Sequence, residues 1–154
     1  MKEYRVLLPE EHFQLVEFRQ EDLPAIGVIN SALQEFEPKE VFSWHLSVII
    51  DFEGLIDNGM PSQAERDILE PWEDQLDSEF KGFDPEKPNA LFLARITWNG
   101  TRQLIYRVFD PEQVNEFLQS IIASGRSLRP FDYRIDPDED WKLTEWYLNT
   151  ALRG

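Results

Sequence analysis

Nothing in this sequence restricts the fold more than the dipeptide Asn99-Gly100, set between two long apolar runs, Ala90 to Trp98 and Thr101 to Phe109. Both residues tolerate positive φ, which a two-residue turn between antiparallel strands demands, so the pair predicts a tight β-hairpin. Such a turn pairs Trp98 with Thr101, Ile96 with Gln103, Ala94 with Ile105 and Leu93 with Tyr106. One face then carries Leu91, Leu93, Leu104, Tyr106 and Val108. The other carries Phe92, Ile96, Trp98 and Ile105, with Arg107 among them. Both faces are largely apolar, so both call for cover.

The flanking segments supply partners for this hairpin. Phe42 to Phe52 alternates strictly, with Phe42, Trp44, Leu46, Val48, Ile50 and Phe52 on one face and Ser43, His45, Ser47, Ile49 and Asp51 on the other. Phe13 to Phe18 and Leu23 to Ser31, joined by Gln20-Glu21-Asp22, read as an N-terminal hairpin, and Glu35 to Glu40 as a charged loop. Ser62 and Glu65 form an S-x-x-E capping box that opens a helix burying Ala64, Ile68, Leu69, Trp72, Leu76 and Phe80. That helix ends near Lys81-Gly82, and Pro71 within it predicts a kink or a break. Asp110-Pro111 opens a second helix, which buries Val114, Phe117, Leu118, Ile121 and Ile122 and closes at Ser124-Gly125. Phe131, Tyr133 and Ile135 alternate as a last strand. The tail from Asp138 to Leu148 reads either as extended or as a short helix capped by Asp138. From Phe42 onward the order is β-α-β-β-α-β, which predicts an α+β fold of ferredoxin-like type: an antiparallel sheet with two helices on one face, plus the N-terminal hairpin and the short C-terminal tail.

Composition narrows the function classes. The 154 residues, 42% of them hydrophobic, suit one domain spanning residues 1–154 with a real core. Thirty Asp and Glu against fifteen Lys and Arg leave a net charge of -15, which repels phosphate backbones and anionic lipid. Direct nucleic-acid binding and membrane-surface binding are therefore not expected. No cysteine is present, so disulfides, thiolate chemistry and cysteine zinc sites drop out. No apolar run approaches the roughly 18 residues of a membrane span, and Met1 to Pro9 is too weakly apolar for a signal peptide. A soluble cytoplasmic protein is the expectation.

No set of residues forms a persuasive catalytic constellation. His45 shares a strand face with Ser43, Ser47 and Asp51, but side chains two residues apart on a strand stand parallel and cannot converge as a triad. Asp136, Asp138 and Asp140 imitate the opening of a calcium loop, yet Trp141 stands where the turn needs Gly and Tyr147 where a bidentate Glu belongs. No phosphate loop, nucleophile elbow or metal-ligating histidine pair occurs, so no catalytic residue, metal or cofactor is expected. What remains is surface chemistry. Glu70, Glu73 and Asp77 are expected on the solvated side of the first helix, where they suit a partner with a basic surface. Trp98, Trp141 and Trp146 are candidate interface anchors.

The segment Asn58-Gly59-Met60-Pro61-Ser62, followed by Glu65, Leu69, Glu73-Asp74 and Leu76, resembles the signature of the domain of unknown function 695 family. Ala90 to Arg107, with its Trp98-Asn99-Gly100-Thr101-Arg102 turn, resembles a later block of that family. So does Asp136 to Trp141 followed by Trp146-Tyr147-Leu148, and the likeness runs from about Phe13 to Leu148. Met60 and Pro71 depart from the usual pattern. The resemblance implies a fold similar to that of the regulator of ribonuclease E activity B and brings no catalytic residues. The leading expectation is a non-enzymatic interaction or regulatory domain that docks a basic protein partner. The alternatives are a small-molecule pocket between the sheet and the tail, and a homodimer through the sheet face bearing Phe92, Ile96, Trp98 and Ile105.

Overall fold

In the computed structural model, which describes residues 8–153, Asn99 and Gly100 both hold positive φ, 46° and 76°. They join β4 (Ala90–Trp98) to β5 (Thr101–Val108). The register starts as the two-residue turn dictates, with Trp98 opposite Thr101, Ile96 opposite Gln103 and Ala94 opposite Ile105. A bulge then intervenes between Phe92 and Ala94, so that Phe92, not Leu93, faces Tyr106. One extra residue reverses the facing of everything before it. Leu91 and Leu93 consequently pack on the Ile105 side and Phe92 on the Tyr106 side, opposite to expectation. The first seven residues, where the absence of a signal peptide was read, lie outside the described residues.

The N-terminal hairpin forms from β1 (Phe13–Gln20) and β2 (Leu23–Asn30), with Glu21 and Asp22 as its positive-φ turn. In β2, a Cβ on Gly27 would lie 2.8 Å from Val16 Cγ2 and 3.0 Å from Ile96 Cδ1. Glycine there lets the flanking strands' side chains close over it. β3 (Trp44–Asp51) pairs with β5 and with β6 (Phe131–Pro137), giving one six-stranded sheet in the order β1-β2-β4-β5-β3-β6. Every pairing is antiparallel. The fold is α+β, with three α-helices among the described residues. The expected four-stranded sheet is corrected to six strands, because the hairpin extends it at the β4 edge through the β2–β4 pairing.

Two helices lie on one face of this sheet. α1 (Gln63–Lys81) and α2 (Pro111–Ser124) cover Leu46, Val48, Ile50, Leu104, Tyr106 and Val108. On the other face Val16, Ile29, Leu93, Ala94 and Ile105 meet Leu33, Phe36, Phe42, Trp141 and Ala151. Phe42 therefore does not share a face with Leu46. The chain is still in a 3₁₀ turn at Lys39–Phe42, and period two begins only at Trp44. A 3₁₀ turn at Ser31–Glu35, that at Lys39–Phe42 and the C-terminal α3 (Glu145–Arg153) replace the expected loop and the undecided tail.

The caps are half as expected. The Ser62 hydroxyl accepts from the Glu65 N–H at 3.1 Å, but the Glu65 carboxylate does not return the bond. It accepts instead from the Glu53 N–H at 2.8 Å and from the Arg129 guanidinium at 2.6 and 2.8 Å. These bonds, Arg129 foremost, hold the Glu65 carboxyl down at about 2. Asp110 caps α2 by accepting from the Glu112 N–H, and Gly125 closes it in the left-handed conformation. α1 runs unbroken through Pro71. Ala64, Ile68 and Ile122, expected inside, are exposed, while Glu65 and Glu73 are buried in their stead.

Candidate docking groove

The two sides of the sheet use their charged residues differently, and the tail side is closed first. Arg107 is wholly buried and donates to the Phe42 carbonyl at 3.1 and 3.2 Å, to Thr144 Oγ1 at 3.2 Å and to the Asp138 carboxylate at 2.8 Å. Its guanidinium lies 4.7 Å from the Trp141 ring centroid, and Phe36 stacks on Trp141 at 5.8 Å. The Trp141 N–H donates to the Lys39 and Phe42 carbonyls, both at 2.9 Å. Asp138 also accepts from the Lys142 and Leu143 N–H groups, so its carboxylate caps the tail while it neutralises Arg107. His45 faces Arg107 across 3.5 Å through Nδ1. Burial first, then the Arg107 charge, lowers the His45 pKa to about 4 and keeps the ring neutral.

This packing corrects the reading of Trp141 as an interface anchor: it is 2% exposed. The space between sheet and tail, expected to hold a pocket, is filled by Phe36, Phe42, Trp141, Tyr147 and Leu148. Trp98 is half-buried and its N–H donates to the Gln20 carbonyl at 2.9 Å, lacing the tips of the two hairpins together. Trp146 stays exposed, edge-on to Phe18 at 5.4 Å. The patch named for a dimer does not exist as one surface, since Ile105 is buried and Phe92 lies on the opposite face.

On the helix side the cover is incomplete. α2 reaches β6, where Tyr133 Oη bonds Gln119 and Asn115. α1 follows over β5 and β4; beyond it the Asp57–Gly59 turn approaches β2, and the outer strand β1 is left open on this side among the described residues. Phe13 is 54% and Leu15 67% exposed, and Ile26 on the neighbouring strand is exposed too. These side chains share a face with half-buried Val28, which pairs with Leu15. Between Phe13 and Val28 of this strip and α1 runs a groove of about 280 Å³, whose lining also includes Arg95, 3.9 Å from the Glu73 carboxylate. At Glu11, Asp77, Lys81 and Phe92 it adjoins a cavity of about 520 Å³ between Leu8-Pro9 and the loop that follows α1.

The α1 wall of the groove is acidic at helical spacing. Glu70, Glu73, Asp74, Asp77 and Lys81 fall at i, i+3, i+4, i+7 and i+11, one stripe of a helix. Glu70, one turn before Asp74, is exposed, as expected, with its carboxylate 3.8 Å from the Arg102 guanidinium. Glu73, expected in solvent, is 6% exposed, because Arg102 of β5 reaches under α1 and donates to it at 3.0 and 3.3 Å. Burial pushes the Glu73 carboxyl above its ordinary value and the Arg102 guanidinium below, against the pull each charge exerts on the other. Asp77 accepts from Tyr106 Oη at 2.6 Å and pairs with Lys81 at 3.1 Å. Lys81 also reaches Glu11 at 3.3 Å on the far wall. Asp74, which lines the groove, has no ion-pair partner among the described residues. The floor is the outer end of an aromatic chain: Phe13 meets Phe92 edge-on at 5.8 Å, Phe92 meets Tyr106 at 5.5 Å and Tyr106 meets Phe80 at 5.1 Å.

Glu11, Asp74, Phe13 and Leu15 are the groove residues that sequence reasoning did not single out. Asp74 was legible as the residue one turn beyond Glu70. Nothing local marked Phe13 and Leu15, because their exposure depends on where α1 ends its cover. Every buried side-chain nitrogen and oxygen among the described residues has a hydrogen-bond partner. No group of three or more His, Asp or Glu among them could hold a metal ion. No helix there is long and apolar enough to cross a membrane.

The fold and the groove define an α+β sheet domain in which the tail closes one face over the hairpin and β4, while the helices leave the hairpin's other face partly open. By its sequence from residue 12 to residue 149 the chain belongs to a family of unknown function, DUF695. No curated protein and no solved structure matches it. The motifs that carry the family resemblance meet in space as packing joints. The Gly100 N–H donates to the Gly59 carbonyl at 2.7 Å and the Phe52 N–H to the Gly100 carbonyl at 2.8 Å. A Cβ on Gly59, whose φ is 75°, would lie 2.8 Å from the Asn99 Cα, so only glycine fits where the two turns touch. The Asp136 to Trp141 block supplies Asp138 and Trp141 to the Arg107 cluster.

Proposed function

We propose that this protein is an interaction domain that docks a cationic segment of a protein partner in the groove between α1 and the N-terminal hairpin. The carrying observation is the juxtaposition of the exposed apolar strip Phe13, Leu15 and Ile26 with the acidic stripe of α1. Apolar surface supplies binding energy, and carboxylates at the rim select Lys and Arg and repel acidic competitors. The net charge of -15 favours attraction of a basic partner from a distance.

A regulatory role by analogy with the regulator of ribonuclease E activity B extends this reading. Strands β6, β3, β5 and β4 stand in that order, as a split βαβ unit requires, which supports a ferredoxin-like origin for the inner sheet. A cytoplasmic site of action fits a chain without cysteine.

The test is affinity capture with the wild-type protein and with a Glu70→Lys/Asp74→Lys variant, at about 50 mM and about 300 mM salt. A partner retained at low salt, weakened at high salt and lost with the variant is the expected result. Capture indifferent both to salt and to the two substitutions would overturn the reading.

A further inference from the structure

The helix side of the sheet is one helix short. Strands lie about 4.8 Å apart and packed helices about 10 Å apart, so each helix covers about two strands. Six strands therefore take three helices, and among the described residues this side has two, α2 and α1. The strands left over are β1 and β2, which form an edge of the sheet.

The chemistry of that uncovered strip separates it from ordinary solvent-facing sheet. The opposite face has its own uncovered strip, over β3 and β6, where Ser47, Asp51, Asp132 and Arg134 accompany a single exposed apolar residue, Ile49. Solvent is an adequate neighbour for such a surface. Over β1 and β2 the corresponding positions hold Glu17 and Arg19 toward the hairpin turn, but toward the groove they are Phe13, Leu15, Ile26 and Val28, an apolar cluster that solvent covers poorly.

Resting on the docking role proposed above, we infer that the occupant of the groove is an amphipathic α-helix of a partner protein, which completes the helix layer. Its apolar stripe lies on Phe13, Leu15, Ile26 and Val28. Lys or Arg along its flank faces Glu70, Asp74 and Asp77 of α1. Two features of the groove select a helix over an added strand. The apolar contacts lie on the face of the hairpin, not along the backbone edge of β1 that an added strand would use. The acidic residues recur with the spacing of a helix, so a second helix laid alongside α1 meets them turn by turn.

The experiment uses the full chain and two fluorescein-labelled peptides of about 14 residues, four helical turns, with identical Leu and Lys content. One places Leu at i, i+3, i+4 and i+7; the other alternates Leu and Lys as a strand would. The helix-patterned peptide is expected to bind about tenfold more tightly, a difference of about 1.4 kcal/mol, and to gain helical circular dichroism on binding. Leu15→Lys and Asp74→Lys should each weaken it about tenfold, while Ile49→Lys, on the opposite face, should leave it unchanged. Equal or tighter binding of the alternating peptide, still sensitive to Leu15→Lys and Asp74→Lys, would overturn the helix and leave the groove standing. Binding of either peptide that ignores both groove substitutions would overturn the groove itself. If neither peptide binds while partner capture stays sensitive to Glu70→Lys/Asp74→Lys, the helix alone is lost.

Discussion

Val16 and Leu15 are neighbours on one strand and live in different worlds. Val16 is 5% exposed, in the buried cluster that also holds Leu33, Phe36 and Trp141. Leu15 points to the helix side and meets little besides water. The whole sheet repeats this contrast. Over the hairpin and β4 the tail face is closed by a short, aromatic-rich set of segments tied down through one buried arginine, whereas on the helix face the two helices leave the hairpin margin unclosed. Burial on one face thus stabilises the fold, while the other keeps apolar surface exposed, the surface on which the proposed docking rests.

The contrast can be broken most severely at Arg107. Arg107→Met leaves the nearly buried Asp138 carboxylate without its counter-charge and the Phe42 carbonyl with the Trp141 N–H as its remaining donor, and the expected loss is about 3–5 kcal/mol, read by urea denaturation. The α3 tail should lose protection from hydrogen exchange before the helix face does. If α1 and the tail open together, the two faces are one cooperative unit and the separation fails.

Acid sharpens the comparison, because the two faces titrate in different windows. His45 has a folded pKa of about 4 against an ordinary value of 6.5. The unfolded chain takes up its proton first, so this contribution to stability is complete above pH 6.5 and is lost as pH falls towards 4. His45→Asn, which keeps an acceptor for Arg107, should flatten the dependence of the denaturation midpoint on pH in that window. Glu65, at the start of α1, has a folded pKa of about 2 against 4.5. Its contribution is present above pH 4.5 and disappears as pH drops towards 2, so Glu65→Gln should flatten only this lower window. A His45→Asn slope identical to that of the wild type between pH 6.5 and 4 would contradict the neutral, Arg107-facing imidazole.

Smaller effects complete the series. Val16→Ala removes two buried methyl groups and should cost about 2 kcal/mol. Leu15→Ser, one residue away, should stay within about 0.5 kcal/mol in the same assay, yet weaken docking in the groove. A Leu15→Ser cost as large as that of Val16→Ala would mean that the strip is already covered in the free protein.

Residues acting over two to four positions were legible in the sequence. Asn99-Gly100 dictated its turn, Asp110-Pro111 and Ser62 opened their helices, and the alternation from Trp44 to Asp51 placed a central strand, because each rests on local backbone preference or on a periodicity internal to one element. Tertiary structure alone decided the rest. The bulge at Leu93 exchanged the faces of Leu91, Phe92 and Leu93, since it answers to packing on both sides of the sheet. Glu73 was drawn inside by Arg102, twenty-nine residues on, and Arg107 became the hub of the tail through Asp138, thirty-one residues on. No pattern within a helix or strand announces a partner at that separation. The groove is the extreme case: its floor, rim and open margin come from three separate elements, and it exists only because strand order sets the hairpin beyond the reach of α1.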